Sequence, residues 1–332
     1  MQIRRVVIGF VAATAILFLM SSPGLAQSST SGFPNKPVTI VLPFTTGASA
    51  DIETRLYQPR LMEGLGQPVI VDYKPGAGSS IGTIYVAKAA PDGYTILYGS
   101  TGFTVYQAFF AENKLPYDTV KDFAPLSMIT KRSTMLLVHP SLPVRTFPDY
   151  IAYAKSNPEK INFGTSGGGG LLHMAGAWLH SATNTRVTFI HYKGAGPMYT
   201  DLLAGRVVAG PATMFVGLPY VKSGKLIPIA NMSAERSKYR PDQRTLIENG
   251  VAGYDYTSWS GYLAPARTPE GIVNRWSSEF AKIARSPDLM KRMDNEGAEL
   301  VGSTPEQFRQ VIVNESMRWR KVVQDNNIKL EE

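Results

Sequence analysis

Residues 162–176, NFGTSGGGGLLHMAG, contain a serine, several glycines and a histidine at a spacing that could support catalysis or ligand binding. Within this stretch, residues 164–168 read Gly-Thr-Ser-Gly-Gly and match the GxSxG pattern of a serine hydrolase nucleophile elbow. The same glycines, followed by an apolar helical run, also fit a loop whose backbone N–H groups bind an anion at a helix N-terminus. The motif therefore predicts either a nucleophile or a hydrogen-bond donor at Ser166.

A serine nucleophile needs a histidine base that is oriented by a carboxylate. The chain has four histidines, which are His139, His173, His180 and His191. The α/β-hydrolase order is Ser, then acid, then His, but no Asp or Glu lies between Ser166 and His191, and no histidine follows Asp201. A triad in another order, such as Asp51 with His139, has no second motif to support it. The sequence favours a protein that is not an enzyme and leaves a serine hydrolase as the alternative.

Metal and nucleotide sites receive little support. His173 and His180 are seven residues apart, whereas a helical metal pair needs a spacing of four. The segment KPGAGSSIG misses the GxGxxG spacing by one residue, and no GxxxxGK[ST] motif occurs. With no cysteine, disulfides and cysteine-ligated zinc are excluded. We therefore expect no metal and no cofactor.

The first 26 residues have the features of a secretory signal peptide. Arg4 and Arg5 precede an apolar run at residues 6–20 and a small-residue site that ends at Ala26. We predict cleavage after Ala26, a linker at residues 27–32 and an exported, periplasmic chain. Without the two arginines, the formal net charge falls from +8 to +6. The basic residues are scattered, which argues against nucleic acid as a partner.

Short β-branched runs alternate with segments of helical period. We predict strands at residues 38–42, 69–71, 95–98, 135–138, 161–163, 187–190, 207–208 and 226–230. This alternation predicts an α/β fold with parallel sheets, and the length suggests two lobes. Turns rich in Gly, Ser or Thr follow several of the strands: PFTTGASAD, KPGAGSSIG, GTSGGGG and HYKGAGP. Ligands bind beyond the carboxyl ends of such strands, so the four turns predict one shared site.

Three long segments are predicted to be helical. Residues 50–65 form the first, which Pro59 should kink or split. Residues 268–293 form the second. Residues 304–325 form the third, with Thr304 as the N-cap and Pro305 as the first helical residue.

Taken together, the turns resemble those of the Bug-type extracytoplasmic solute receptors of tripartite tricarboxylate transporters. The resemblance runs from about Phe33 to Lys329, through FPNKPVTIVLPFTTGASAD, LGQPVIVDYKPGAGSSIGT, LPYDTVKDFAPLSMI, FGTSGGGGLLHMAG, YKGAGPMYTDLLAGRV and TSWSGYLAPARTPEGIV. It implies an α/β, two-lobed periplasmic binding protein of the type II, Venus-flytrap kind, in which each lobe is a mostly parallel sheet flanked by helices. Lobe one would combine residues 33–130 with 256–332, and lobe two would be residues 131–255.

The resemblance also implies the function. The lobes would close over a small carboxylate, and the receptor would deliver it, as a monomer, to integral-membrane transporter subunits that it contacts transiently. No cofactor is needed. Backbone N–H groups at helix N-termini can each favour an anion by about 0.3 to 1 kcal/mol when exposed.

The resemblance assigns ligand-binding residues to both lobes. In lobe one they are Phe44, Thr46, Gly47, Ala48, Ser49, Asp51, Ala77, Gly78, Ser79, Ser80 and Thr101. In lobe two they are Ser166, His173, Lys193, Gly194, Ala195, Ala212 and Thr213. Each serine or threonine among them could equally be an ordinary N-cap.

Departures from the family pattern bear on the ligand. Ala48 replaces a glycine, and His191 stands where the family generally has proline. The family often has an acidic residue at the position of Ala212, which Thr213 follows. The absence of that acid argues against amino acids and citrate-like hydroxy acids.

Aromatic residues near the predicted site favour a flat, apolar-bodied acid. The residues concerned are Phe44, Phe103, His173 and His191. We therefore predict an aromatic mono- or dicarboxylate such as terephthalate. An aliphatic dicarboxylate held by Lys193 and His191 is the alternative.

Overall fold

The described part of the chain forms two β-sheets, and none of its strands belongs to both. The computed structural model describes residues 32–47, 49–76, 79–110, 115–166, 170–192, 195–295 and 297–328. The predicted signal peptide, its cleavage site after Ala26 and linker residues 27–31 lie outside these residues. The described residues from Phe33 onwards belong to one compact unit.

The strands divide between the sheets in blocks along the chain. In chain order they are β1 (Val38–Leu42), β2 (Val69–Tyr73), β3 (Thr95–Ser100), β4 (Phe123–Arg132), β5 (Thr134–Val138), β6 (Asn162–Thr165), β7 (Thr188–His191), β8 (Ala209–Thr213), β9 (Ile227–Asn231), β10 (Ser258–Pro265) and β11 (Glu299–Leu300). The first sheet has the order β11-β4-β10-β3-β1-β2, and the second has the order β7-β6-β8-β5-β9. β1 is parallel to β2 and β3, and β6 is parallel to β7 and β8.

Both sheets are mixed, with more antiparallel pairing than the mostly parallel sheets that were predicted. β10 is antiparallel to β3 and β4, and β5 is antiparallel to β8 and β9. The reason is that β4 leads the chain out of the first sheet and β10 leads it back, so these neighbours run in opposite directions. The sequence pattern missed β4, β10 and β11, and it placed β8 just before its true start at Ala209.

Helices cover both sheets. They are α1 (Ser49–Leu65), α2 (Ser80–Ala87), α3 (Thr101–Gln107), α4 (Phe147–Ser156), α5 (Leu171–Ala182), α6 (Ala195–Leu203), α7 (Met214–Lys222), α8 (Glu270–Ala284), α9 (Pro287–Asn295) and α10 (Pro305–Asp325). α10 begins as predicted, because the Thr304 hydroxyl accepts from the Gln307 N–H in a capping box. α1 continues through Pro59, so the predicted split does not occur. The single helix predicted at residues 268–293 is two helices, because Pro287 begins a new one.

The last helix, α10, packs against the cores of both sheets. Phe308 and Ile312 are buried with apolar residues of the first sheet. Trp319 and Val322, further along the same helix, are buried with apolar residues of the second sheet. The lobe boundaries at residues 130/131 and 255/256 stay a prediction, since this helix contacts both lobes.

Candidate functional site

The carboxyl ends of the parallel strands of both sheets lie on either side of one short connection. β4 is parallel to β1, β2 and β3, because β10 is antiparallel to both β3 and β4. These strands therefore end at one edge of the first sheet. After Ser133, β5 begins at the edge where β8 ends, since Thr134 pairs with Thr213. This connection brings together the two edges at which ligands bind in α/β folds. We call the space between these edges the cleft.

The segments that pass between the sheets lie side by side. The Met232 N–H donates to the Thr134 carbonyl over 2.8 Å, and the Tyr256 N–H donates to the Met232 carbonyl over 2.7 Å. We call these segments the crossing; it consists of residues 132–134, 231–233 and 256–258. The crossing lies at the base of the cleft.

The two first-lobe turns, which were predicted to belong to one shared site, are neighbours. Leu42 and Tyr73 pair at the ends of β1 and β2, and the Lys74 N–H donates to the Leu42 carbonyl over 2.9 Å. Gly82 of α2 packs against the first turn, because a Cβ atom there would lie 3.0 Å from the Pro43 side chain. Three of the predicted residues in these turns lie outside the described residues: Ala48, Ala77 and Gly78.

Both turns contain residues with a left-handed backbone. The angle φ is +77° at Gly47, +119° at Gly76 and +78° at Ser79. A positive φ is strained for a non-glycine residue, and such strain is concentrated at ligand sites. Ser79 is the N-cap of α2, yet its hydroxyl makes no capping hydrogen bond. Capping alone therefore does not account for this serine. Of the other predicted hydroxyl residues here, Thr46 lies exposed in the first turn and Ser49 begins α1.

Asp51 holds the first turn in place. Its carboxylate accepts hydrogen bonds from the Gly47 N–H and the Tyr73 hydroxyl, each over 2.7 Å, and from Arg55 Nε over 2.7 Å. The hydrogen bond from Gly47, followed by that from Tyr73, keeps the pKa of Asp51 below its usual value. Because the residue is only 5% exposed, we assign it to positioning the turn.

Phe44, Ser80 and Thr101 differ in how much surface they present. The Phe44 ring is half-buried and meets the Tyr98 ring edge-on, with the ring centroids 6.0 Å apart. Thr101 is 1% exposed, and its hydroxyl accepts from the Trp259 N–H over 2.8 Å. Ser80 is also buried. Of these three, only Phe44 offers side-chain surface to a ligand.

The second-lobe turns form a matching pair. Thr165 and His191 pair at the ends of β6 and β7, and the Tyr192 N–H donates to the Thr165 carbonyl over 3.1 Å. Ser166 follows β6 directly and is half-buried, as is Ala195 at the start of α6. The other predicted residues of these turns, Lys193 and Gly194, lie outside the described residues. Residues 167–169 also lie outside them.

Three rings lie next to these turns, and we call them the ring cluster: His173, Phe189 and His191. The centroid of the His173 ring, in the first turn of α5, lies 4.8 Å from that of Phe189 and 4.6 Å from that of His191. The Thr165 hydroxyl lies 2.6 Å from Nδ1 of His191. The structure thus brings His173 together with His191, two of the aromatic residues that the sequence analysis expected near the site.

His180 and Ala212 belong to the core of the second lobe. The ring nitrogens of His180 lie 3.2 Å from the Tyr150 hydroxyl and 2.7 Å from the Thr185 hydroxyl. Burial lowers the pKa of His180 to about 3. Ala212 is fully buried among apolar side chains. Thr213 is half-buried and caps α7 without a side-chain hydrogen bond, so of these two strand residues Thr213 is the one that offers surface.

Sequence analysis missed Glu53, a carboxylate on α1 that is 2% exposed. It accepts hydrogen bonds from Arg132 and from the hydroxyls of Tyr57, Tyr98, Thr130 and Ser260. Burial by itself would raise the pKa of Glu53, but the charge of Arg132 and the hydrogen bonds from Ser260 and Thr130 outweigh burial and lower it. No local pattern could reveal this group, because its donors come from four separate elements.

This arrangement defines a class of protein. Two lobes joined by crossing strands, with turns rich in Gly and Ser at the edges on either side of the crossing, are the architecture of a solute receptor that closes around its ligand. Within the described ranges, no helix is both long enough and apolar enough to cross a membrane.

Comparison with known proteins identifies the family. The sequence model described as "Tripartite tricarboxylate transporter family receptor" matches residues 54–328. Protein BugT of Bordetella pertussis is 31% identical over 314 residues, which cover 95% of this chain and 96% of BugT. The structure of R. palustris Rpa4515 with adipate is 32% identical, with a TM-score of 0.74 over 90% of this chain and 100% of that one. MatC (Rpa3494) from Rhodopseudomonas palustris, with bound malate, is 28% identical, with a TM-score of 0.71 over 88% and 100% of the two chains.

The chain therefore belongs to the tripartite tricarboxylate transporter receptor family. The predicted resemblance to Bug-type receptors and the two-lobed α/β fold are confirmed.

Proposed function

We propose that this protein is a periplasmic receptor that binds a small carboxylate in the cleft and delivers it to the integral-membrane subunits of a tripartite tricarboxylate-type transporter. The observation that carries this proposal is the placement of two pairs of neighbouring turns at the sheet edges on either side of the crossing. Helices α1, α2, α5 and α6 begin directly after these turns, and helix N-termini attract anions. Export, cleavage after Ala26 and a monomeric state are parts of the same proposal. The protein acts by binding and not by catalysis.

Within this function we favour an aromatic mono- or dicarboxylate such as terephthalate. The ring cluster supports this choice, because aromatic rings pack edge-to-face or offset with centroids about 4.5 to 7 Å apart. Phe44 offers a further partly exposed ring on the first lobe. An aliphatic dicarboxylate is the second candidate, and the adipate bound to Rpa4515 favours it.

A thermal-shift screen of the mature protein against a carboxylate panel is expected to select aromatic acids. A ligand that binds only the folded state stabilises it by about 2.7 kcal/mol at a hundred times its Kd. Terephthalate should therefore raise the melting temperature more than adipate does, and citrate and amino acids should leave it unchanged.

The control for this screen is the uncharged diamide of terephthalic acid, which keeps the ring but lacks the carboxylates. If citrate or amino acids alone raise the melting temperature, the aromatic proposal is wrong. If no carboxylate does so, the receptor function itself is contradicted.

The alternative of a secreted serine hydrolase predicts a different result at Ser166. The Thr165 hydroxyl lies at Nδ1 of His191, where a triad needs a carboxylate. His139 lies at the opposite edge of the second sheet, where its backbone N–H donates to the Val208 carbonyl. We expect the wild type and Ser166→Ala to hydrolyse p-nitrophenyl acetate equally, at the background rate. Hydrolysis by the wild type that Ser166→Ala abolishes would establish the enzyme instead.

A further inference from the structure

The side chain of Arg132 is anchored on one side and open on the other. Arg132 is the last residue of β4 and the first of the crossing. Its Nη2 donates to Oε2 of Glu53 over 3.0 Å. The Arg132 side chain is 22% exposed, whereas that of Glu53 is 2% exposed. A guanidinium carries five N–H donors in a planar fork. Within the part of the chain that the structure describes, the hydrogen bond to Glu53 is the one that the Arg132 guanidinium makes.

Glu53 keeps Arg132 in this position. The hydroxyls that also donate to Glu53 come from α1, β3, β4 and β10, so its carboxylate is held from several directions within the first lobe. If Arg132 turned away, a buried carboxylate would lose its counter-charge, which is strongly unfavourable. The guanidinium is therefore fixed in place before any ligand arrives.

The position of Arg132 is at the base of the cleft. β4 ends at the same edge as β1, β2 and β3, the edge at which the first-lobe turns begin, with β10 and β3 between β4 and β1. Glu53 lies four residues after the start of α1 at Ser49, which is about 6 Å along the helix at 1.5 Å per residue. Arg132, which binds Glu53, thus lies about one helical turn deeper in the first lobe than the loop between β1 and α1.

The neighbouring cation, Lys131, lies on the other face of the strand. Successive side chains of a strand point to opposite faces. Lys131 forms an ion pair with Glu299 of β11 over 3.6 Å. Arg132 is therefore the cation of this pair that faces α1 and the first-lobe turn, and Lys131 provides a matched control.

We propose that Arg132 binds a second carboxylate of the ligand at the base of the cleft. The proposal rests on the proposed function, since it requires a carboxylate ligand there. The N–H groups of the first-lobe turns bind one carboxylate, and the guanidinium fork binds the other, because arginine and carboxylate form two parallel hydrogen bonds. Glu53 does not repel this second anion strongly, since five donors already compensate its charge. The receptor accordingly prefers a dicarboxylate over the monocarboxylate with the same body.

Calorimetric titration of designed variants tests this proposal. The double variant Arg132→Met with Glu53→Gln removes both charges and leaves no buried carboxylate unpaired. Arg132→Lys keeps the charge without the fork, and Lys131→Met is the control. The probes are two dicarboxylates, terephthalate and adipate, and their monocarboxylate counterparts, benzoate and hexanoate.

We expect the double variant to bind whichever dicarboxylate the wild type binds about ten- to a hundredfold more weakly, which is the value of a hydrogen bond to a charged group. Monocarboxylate binding should change less than about threefold, Arg132→Lys should be intermediate, and Lys131→Met should bind as the wild type does. The melting temperature of the ligand-free double variant should stay close to that of the wild type.

Equal dicarboxylate binding by the wild type and the double variant would overturn the proposal. So would an equal loss for both ligand types together with a lower melting temperature, since that result assigns Arg132 a structural role. If the wild type binds only monocarboxylates, the proposed function stands and the role of Arg132 is wrong. If it binds no carboxylate at all, the proposed function itself fails.

Discussion

Glu53→Ala is expected to lower the free energy of unfolding by about 3 to 5 kcal/mol, the usual cost of removing one partner of a buried ion pair. The substitution leaves Arg132 without its counter-charge and removes the acceptor of four hydroxyl groups. Urea unfolding followed by circular dichroism measures this loss. Glu63→Ala, an exposed residue on the same helix, is the matched control and should change stability by no more than about 0.5 kcal/mol.

A loss as small as that of the control would show that Glu53 is not buried as an ion in the folded protein. The pH dependence gives a second check. The pKa of Glu53 is lower in the folded than in the unfolded state, so its contribution to stability is present above the unfolded pKa and is lost as the pH falls through the folded pKa. Glu53→Gln should lack this acid-dependent part of the stability curve.

Glu315 is expected to make the protein less stable as the pH rises from about 5 to 8. Burial raises the pKa of Glu315 from 4.5 to about 7, although Arg318 and the hydrogen bonds from Trp259 and Thr104 oppose the change. The folded state therefore holds this proton more tightly than the unfolded state does. The stabilisation is fully present below pH 4.5 and is lost as the pH rises through the folded pKa, by about 3 kcal/mol at 1.36 kcal/mol per pKa unit.

Urea unfolding of the wild type and of Glu315→Gln at pH 5, 6, 7 and 8 measures this effect. The other charged groups close to Glu315, which are Arg318 and Asp255, are present in both proteins. The difference between the two stability curves therefore isolates Glu315. Parallel curves over this range would contradict the raised pKa.

Local signals in the sequence predicted much of the framework. The β-branched run of β1, the capping residues of α10 and the turns after β1, β2, β6 and β7 depend on neighbours within a few residues. The Gly and Ser turns in family-specific order also identified the receptor family. β4 and β10 escaped prediction, because they obtain their pairing from each other, across more than a hundred residues of chain.

The same difference between local patterns and tertiary packing applies to the predicted site residues. The family resemblance assigned Thr46, Ser79, Ser166 and His173 to the binding site, and the structure has them in turns or at helix starts near the cleft. They did not show that Thr101 and Ala212 would be buried, or that Asp51 would bind Gly47 and Tyr73. Burial and hydrogen bonding of these side chains depend on which elements pack against them.

The sequence alone was sufficient for the family, the α/β class and the positions of the turns rich in Gly and Ser, because these depend on short-range patterns. The tertiary structure was needed to bring Arg132 to Glu53, which lies 79 residues earlier in the chain, and to pack α10 against both sheets. The physical reason is that a buried charge is stable only where the folded chain supplies its partners. Those partners come from α1, β3, β4 and β10, which no local pattern relates to one another.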